Sequence, residues 1–437
     1  MKAITSFQKF FAGIVSGSYP LMLGAALAMI WANLYPDSYH GVWHAEISFA
    51  AGPFHVGKSV SHWIDEALMA LFFFSVGLEI KREVLVGELA SIKKALLPVM
   101  AAAGGMLFPA LIYLVFTRNT PHANGWGIPM ATDIAFSLAV LAVLGKKIPI
   151  GVRIFLTALA IADDLGAVVV IGLFYTKTVS VQALLVALLL LVLLFLANLL
   201  WIRNSIVYAV LGMMLWMAVL SSGIHAAVAG VLVALFIPAK GKYETQTFIE
   251  RIGLYLNRFE CSNRNGNACG FTILLNAEHL NSVRMIEEAC HEVETPLQRL
   301  EYGIHPWVYY LILPLFALAN AGVDLTGIQI SESLFHPVSL GIIAGLVIGK
   351  PLGILIFTFI SVKVLRTELH KGVHWHHLIG AGILAGIGFT MSLFISGLSF
   401  ASTEIMNIAK LGIIAGSTFS AFAGLTFLLY ANRMDSR

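Results

Sequence analysis

The feature that most constrains this chain is a series of apolar runs, each about 20 residues long, that recurs from one end to the other. An α-helix of about 20 apolar residues crosses the hydrocarbon core of a bilayer. The runs show no alternation with a period of two, so a membrane β-barrel is excluded. The chain is therefore predicted to be an all-α integral membrane protein with twelve transmembrane helices, at residues 17–35, 62–80, 95–116, 125–143, 149–175, 181–201, 204–220, 222–238, 305–322, 337–361, 377–400 and 405–431.

Composition supports a lipid environment. Only 12% of the residues are charged, whereas about a quarter are charged in a typical soluble domain, so the chain lacks the polar surface to face water. The net charge of +3 gives no reason to expect a nucleic-acid partner. The three cysteines, Cys261, Cys269 and Cys290, lie in one polar stretch without CxxC spacing. They predict neither a disulfide framework nor a bound metal, and no cofactor is expected.

The order of the spans predicts three regions. Residues 1–238 carry helices 1–8, residues 239–304 form a cytoplasmic loop, and residues 305–437 carry helices 9–12. With the N-terminus in the cytoplasm, 22 of the 27 Lys and Arg residues lie on the cytoplasmic side and one, Lys350, lies inside a helix. The other side holds the remaining four, Lys58, Arg118, Lys177 and Lys410. The positive-inside rule then places both termini in the cytoplasm. The first run continues beyond an A-x-A pattern at 26–28, so it is interpreted as a membrane helix and not as a removed signal peptide.

Two segments outside the spans have their own patterns. Apolar and polar residues alternate around Ala51-Gly52-Pro53, which predicts a two-stranded hairpin near residues 43–57. That hairpin is either an ordered loop or an edge that pairs with a second copy of the chain. In the long loop, Glu278–Thr295 has the spacing of an amphipathic helix and Ser262–Cys269 that of a flexible turn.

Four ionisable residues lie inside apolar spans: Asp133, Asp163, Asp164 and Lys350. Each costs roughly 3 kcal/mol at a helix centre. Together they cost on the order of 10 kcal/mol, comparable with the net stability of a whole domain. One interpretation is a salt bridge that locks helices together, but a buried pair usually only breaks even. The other interpretation, a functional ion site, is the default for ionisable groups inside a membrane.

The tandem pair Asp163-Asp164 predicts the chemistry of that site. Burial and mutual repulsion both favour the neutral acid, whereas the ionised carboxylate is a hard oxygen ligand for a small cation. Protons and the cation therefore compete for the same oxygens. Neighbours on a helix point about 100° apart, so Asp164 is assigned as the main cation ligand and Asp163 as a gate or second proton carrier. Lys350 is the expected partner of one of them.

Two of the spans are candidates for helices broken at mid-membrane. Gly125–Pro129 precedes Asp133, and Gly380–Thr390 is dense in glycine, a composition that weakens helices, although glycines also serve close helix packing. An Asp beside half-helix N-termini and a Lys beside C-termini would neutralise the exposed ends, which suits Asp133 and Lys350. The blocks 95–175 and 337–431 run in opposite senses, as in an inverted repeat.

Several strings resemble the NhaA-type sodium/proton antiporters of bacteria: Ala131–Phe136, Ala162–Ala167, Gly349–Gly353, Gly386–Ser392, Gly77–Glu83 and Ser222–Ala226. The resemblance covers nearly the whole chain except residues 240–295. It implies an NhaA-like antiporter fold with inverted repeats and two broken helices in the bacterial inner membrane. It also implies a transporter, not an enzyme, that expels Na⁺ or Li⁺ in exchange for protons, and a homodimer joined through the hairpin.

The same resemblance implies roles for individual residues. Asp164 and Asp163 would bind the cation and protons, Thr132 and Asp133 would lie where the broken helices cross, and Lys350 would face them. A pH-response group would comprise Glu79, Arg82, Glu83, His225, Glu301 and His305. This chain departs from the family there, because Tyr302 and Gln298 replace a histidine and a lysine. Alternatively, Glu79–Glu83 is an ordinary solvated helix end and His225 a satisfied buried histidine.

Other functions fit the residues less well than exchange. An intramembrane aspartyl protease also needs paired carboxylates, but those come from separate helices with a GxGD motif that this sequence lacks. A transporter for an organic anion would not need tandem carboxylates, and a passive channel would be blocked by ions trapped on them. Two carboxylates serving one cation predict more protons than cations per cycle, and hence electrogenic exchange.

Overall fold

A computed structural model describes residues 6–51, 54–145, 148–176, 179–241, 245–257, 277–325, 329–369 and 372–435 of the chain. These residues are almost entirely helical. The first half contains α1 Ser6–Leu34, α2 Pro36–His44, α3 Val60–Trp63, α4 Met69–Val86, α5 Ile92–Thr117, α6 Ile134–Val143, α7 Ile150–Phe174, α8 Val181–Leu199, α9 Ser205–Ser222 and α10 Ala227–Phe236. The second half contains α11 Thr245–Asn257, α12 Ala277–Val293, α13 Pro296–Trp307, α14 Leu313–Asn320, α15 Ile330–Phe335, α16 Pro337–Ala344, α17 Lys350–Lys363, α18 Trp375–Ala385, α19 Phe389–Ser399 and α20 Thr403–Asp435.

These helices build the multi-span membrane fold that the sequence predicts. Among the described residues, nine helices are long and apolar enough to cross a membrane, and the bent pair α18–α19 makes a tenth. The two remaining predicted spans do not meet this criterion, one because of its charged residues and the other because of its length. The second, Val60–Val86, carries four charged residues between Glu79 and Glu83, and the eighth, α10, is only ten residues long.

In the part of the chain that the structure describes, three spans contain a short π-helical turn. The turns are Ile64–Leu68 between α3 and α4, Val308–Ile312 between α13 and α14, and Gly345–Gly349 between α16 and α17. In a π-turn the hydrogen bonds reach one residue further than in an α-helix, and such turns are frequent at functional sites. Each turn contains or adjoins a titratable side chain that is buried or partly buried.

Two strands, β1 Glu46–Ala51 and β2 Phe54–Ser59, form an antiparallel hairpin between α2 and α3. In the long loop, α12 lies where the amphipathic helix is predicted, whereas α11 is a second helix without a sequence prediction. Helices α11 and α12 pack together, and the Arg251 guanidinium lies 3.7 Å from a Glu292 carboxylate oxygen. The predicted turn Ser262–Cys269 lies outside the described residues.

The packing of α5 against α17 sets the geometry of the interior. A Cβ atom added to Gly104 would lie 2.2 Å from the Gly353 carbonyl oxygen, and one added to Gly353 would lie 2.0 Å from that of Gly104. The two backbones therefore touch, as small residues allow between membrane helices. Lys350 lies one turn before Gly353 on α17, so this close contact also sets the position of the Lys350 side chain along the helix axis.

Candidate functional site: two broken helices and a buried ion pair

The fourth and eleventh spans are both interrupted at mid-length. The fourth begins as a 3-10 helix, Ala123–Met130, loses helical structure at residues 131–133 and resumes as α6. The eleventh breaks between α18 and α19, whose axes differ by 44°. Proline at 129 and glycines at 386 and 388 lie at these points, where a missing N–H or a missing side chain weakens the helix. The fold thus has the two broken helices predicted from sequence.

Hydrogen bonds join the two breaks where they cross. The Asp133 N–H donates to the Ile387 carbonyl over 2.7 Å. The Ser137 hydroxyl donates to the Leu384 carbonyl, and in the opposite direction the Ser392 hydroxyl donates to the Ile128 carbonyl, over 3.0 and 2.8 Å. Each break therefore satisfies backbone groups that the other has left without helical partners.

The Asp133 carboxylate lies at the N-termini of both half-helices. It caps α6 by accepting from the Phe136 N–H over 3.0 Å. Its other oxygen accepts from the N–H and the hydroxyl of Thr390, in the first turn of α19. Helix N-termini carry partial positive charge, so this buried carboxylate is compensated without a cationic side chain.

Asp163 and Lys350 form an ion pair beside the crossing. Lys350 Nζ lies 2.7 Å from Asp163 Oδ2, and the two side chains are 1% exposed or less. Lys350 also donates to the carbonyl of Met130, the last residue of the 3-10 helix. The Thr132 hydroxyl donates to Asp163 Oδ2 over 2.7 Å and lies 3.1 Å from the Ala385 carbonyl. The lysine thus meets both a carboxylate and the negative end of a half-helix.

Asp164 is in a different situation from its neighbour. Its side chain is 3% exposed, yet within the part of the chain that the structure describes no residue forms a hydrogen bond or ion pair with its carboxylate. Asp163 Oδ1 is also buried without a hydrogen-bond partner among those residues. Buried polar groups are normally paired, so these oxygens are available to a proton, a water molecule or a cation.

Five of the six residues proposed for a pH response lie on the second and ninth spans. Arg82 donates to a Glu301 oxygen over 2.6 Å and to a Glu83 oxygen over 3.0 Å. Glu79 lies one turn before Glu83, and its Oε1 is buried without a hydrogen-bond partner among the described residues. His305 is on the same helix as Glu301 and close enough to Arg82 to interact with it electrostatically. We call these five residues the Arg82 cluster.

His225 is not part of the Arg82 cluster. Its Nε2 lies 3.6 Å from a Glu66 oxygen, and its ring packs against Phe394 with 5.1 Å between centroids. Glu66 precedes Glu79 by more than three turns on the second span, which places the two carboxylates about 20 Å apart along that helix. The structure therefore divides the six residues between two separate positions.

The comparisons with known proteins agree with this geometry. The family described as "Na+/H+ antiporter 1" matches residues 8–428. This chain belongs to that family. The Na⁺/H⁺ antiporter NhaA 2 of Syntrophotalea carbinolica is 45% identical over 427 residues, covering 98% of this chain and 96% of its own. NhaA of Helicobacter pylori strain J99 is 47% identical, with 94% and 92% covered, and NhaA of Koribacter versatilis is 43% identical, with 97% and 91% covered.

Membership of the Na⁺/H⁺ antiporter 1 family confirms the resemblance predicted from the sequence strings. It identifies the chain as a member of a transporter family and not of an enzyme family. Within the described residues, no three or more His, Cys, Asp or Glu side chains group as a metal-ion site. The carboxylates at the crossing that have partners thus bond to hydroxyl, N–H or ammonium groups. In the described part of the chain they do not converge with other acids on one metal-binding point.

A second cluster of polar residues, around the partly buried Asp65, was not identified from sequence. Asp65 accepts from the Asn320 amide over 2.9 Å and interacts electrostatically with Lys410, which itself donates to the Gly322 carbonyl over 3.3 Å. The signal was available, because Asp65-Glu66 is a second tandem acidic pair inside a predicted span. Lys410, assigned to the outer side in the charge count, lies buried in α20.

An apolar groove on the surface does not coincide with the acids. It has a volume of about 340 Å³ and lies between α4, α9 and α10, where apolar side chains such as Phe74, Met213 and Trp216 line it. Small ions need a few oxygen atoms and not an apolar cavity of this size. The candidate ion site is therefore the crossing and not this groove.

Proposed function

We propose that the chain is a secondary transporter that exchanges cytoplasmic Na⁺, or Li⁺, for external protons across a bacterial inner membrane, with both termini in the cytoplasm. The relatives named as Na⁺/H⁺ antiporters support the exchanged ions. The excess of Lys and Arg on one set of loops supports the orientation. Both ions are small and hard, and carboxylate oxygen is the ligand that such ions prefer.

The observation that carries this proposal is the unpaired, buried carboxylate of Asp164 next to the Asp163–Lys350 pair; no partner for it is found among the described residues. When ionised, Asp164 offers oxygens to a cation whose charge it neutralises. When protonated, Asp164 is neutral, so it attracts the cation less strongly and releases it. Binding of one ion therefore excludes the other, and exchange follows if the site opens to one side at a time.

Asp163 supplies the second exchangeable charge in this proposal. A cation bound between the two carboxylates competes with Lys350 for Asp163, because one carboxylate oxygen cannot serve both equally well. The lysine is then displaced or loses a proton, and the Thr132 hydroxyl, now 2.7 Å from Asp163, can turn its oxygen toward the ion. More than one proton would leave for each cation, which makes the exchange electrogenic.

Asp133 has a supporting role in this mechanism. Its carboxylate already accepts three hydrogen bonds at two helix N-termini, and these favour the ionised form without a bound cation. We therefore assign it to holding the crossing together, with Asp164 and Asp163 as the exchanging groups. Thr132 lies one residue away and links this scaffold to the ion pair.

The Arg82 cluster and His225 are proposed to regulate transport with pH. Arg82 bridges the second and ninth spans through Glu301, so a change of charge among these acids would alter how tightly the spans are held. His225 would act separately, through Glu66. Glu301 precedes Tyr302, where the family often has a histidine, so the pH of activation is expected to differ from that of its relatives.

We also propose that the chain forms a homodimer through the hairpin. Strands β1 and β2 pair only with each other among the described residues, so each has an outer edge that no other strand covers. Such an edge can pair with the same edge of a second copy. Crosslinking of a cysteine introduced at Lys58, near the end of β2, would detect that contact.

Everted membrane vesicles test the proposed exchange directly. Addition of Na⁺ or Li⁺ should dissipate a respiration-generated pH gradient, and K⁺ should have much less effect. Asp164→Asn should abolish the response while the protein is still folded and inserted. Asp37→Asn, a substitution of an exposed acid in α2, is the matched control and should behave as wild type. Undiminished exchange by Asp164→Asn would overturn the site assignment, and a silent wild-type protein would overturn the proposed function.

A further inference from the structure

Tyr309 is a buried titratable residue that the mechanism above leaves unused. It lies in the π-helical turn Val308–Ile312 of the ninth span, and only 4% of its surface is exposed. The next residue in the same turn, Tyr310, is 49% exposed. One turn of backbone therefore directs one phenol into the protein and its neighbour outward.

Acidic groups surround Tyr309 from several elements. Glu79 on α4, Asp164 on α7, Asp133 at the crossing and Glu301 on its own span all interact with it electrostatically. His305, one turn before it, places its ring 4.3 Å from the Tyr309 ring, centroid to centroid. The other two neighbours of the turn are helices α1 and α14. Helix α14 has no titratable residue, and Tyr19, the titratable residue of α1 from Gly17 onward, is 68% exposed.

Three of the polar groups in this region have no partner among the described residues. Glu79 Oε1 is buried without a hydrogen bond, and within the described ranges the structure shows none to the Tyr309 hydroxyl or the Asp164 carboxylate, whose residues are 4% and 3% exposed. These three groups come from three different spans and are mutually within electrostatic reach. Buried polar atoms without protein partners are normally satisfied by water or by an ion. Together they place three polar groups between the Arg82 cluster and the ion pair.

We propose that Tyr309 is a binding residue whose hydroxyl holds the hydrated cation between Glu79 and Asp164. The phenol oxygen can offer a lone pair to the ion or its water, while its O–H donates to a carboxylate. A neutral oxygen suits this position, because a further carboxylate would bind a monovalent ion too tightly to release it. This inference rests on the proposed exchange and adds a residue to its cytoplasmic approach.

Tyr309→Phe tests the hydroxyl because it keeps the ring and its contact with His305. One polar contact is worth about a three- to tenfold change in affinity. We therefore expect the Na⁺ concentration for half-maximal exchange to rise about three- to tenfold, with a maximal rate within about twofold of wild type. Tyr310→Phe, which removes the neighbouring exposed hydroxyl, is the matched control and should leave both values unchanged.

A second measurement avoids turnover altogether. Proton release from purified protein on addition of Na⁺ reports cation binding at equilibrium, and the Tyr309→Phe variant should need about three- to tenfold more Na⁺. Identical curves for Tyr309→Phe and Tyr310→Phe would overturn the inference. A lower maximal rate at unchanged half-saturation would also overturn it, since it indicates a packing role, as would a failure of Tyr309→Phe to fold. If wild type itself shows no exchange, the proposed function fails instead.

Discussion

Replacing Lys350 by methionine leaves the Asp163 carboxylate buried without its cationic partner. Asp163 Oδ2 would keep the Thr132 hydroxyl at 2.7 Å, whereas Oδ1 already has no hydrogen-bond partner among the described residues. Removing one member of a buried pair costs about 3–5 kcal/mol while the other stays charged. If Asp163 takes up a proton instead, only the hydrogen bonds of the lysine are lost, at about 1–3 kcal/mol.

The cost of Lys350→Met should therefore depend on pH. In the folded variant the unpaired acid retains a proton that the unfolded chain gives up, so the folded state binds more protons and its stability falls as pH rises. We expect the melting temperature to drop by several degrees more at about pH 8.5 than at about pH 5.5, relative to wild type at each pH. Intrinsic fluorescence during heating in detergent measures the melting temperatures of the variant and of wild type at each pH.

Two further variants complete this experiment. Lys363→Met removes an exposed lysine from the same helix, α17, and should have little effect at either pH. Lys350→Met combined with Asp163→Asn removes both charges, so the double variant should be more stable at high pH than Lys350→Met alone. Equal deficits at the two pH values, or strictly additive effects of the two substitutions, would refute the ion-pair reasoning.

Three more outcomes are expected. Gly104→Val should prevent stable insertion because its Cβ would lie 2.2 Å from the Gly353 carbonyl oxygen, whereas Gly41→Val, which has nothing within 4 Å, should give normal yields of folded protein. Thr390→Val removes a hydroxyl that donates to Asp133 and should lower stability by about 1 kcal/mol in thermal unfolding. Exchange in proteoliposomes should speed up or slow down with an imposed membrane potential, and indifference to potential would contradict electrogenic exchange.

The broken helices could be predicted because their cause is local. Proline at 129 and the glycines of the eleventh span weaken a helix wherever they stand, and an acid or a lysine next to them is visible in the string itself. The exposed ends of half-helices then indicate which charge belongs at which end. This reasoning needs no knowledge of which spans are neighbours.

The partners within the site could not be predicted in the same way. Asp163 and Asp164 are adjacent in sequence, and only the packing of α7 and α17 against α5, beside the crossing, determines that Lys350 pairs with Asp163. The π-turns are equally hidden, because a shift of one residue in the hydrogen-bond ladder leaves no mark on composition. Asp65-Glu66 was missed for a different reason, since it lies near a span end where charge is ordinarily cheap.

The reciprocal hydrogen bonds at the crossing have a mechanical consequence. The Ser137 hydroxyl of the first repeat donates to the second repeat, and the Ser392 hydroxyl of the second donates to the first. Movement of one break would therefore have to be accompanied by movement of the other. The two interrupted segments therefore form one hydrogen-bonded unit. Asp163 and Lys350 are held to the same unit by the Thr132 hydroxyl and the Met130 carbonyl, so we expect any displacement of the ion pair to move both interrupted segments with it.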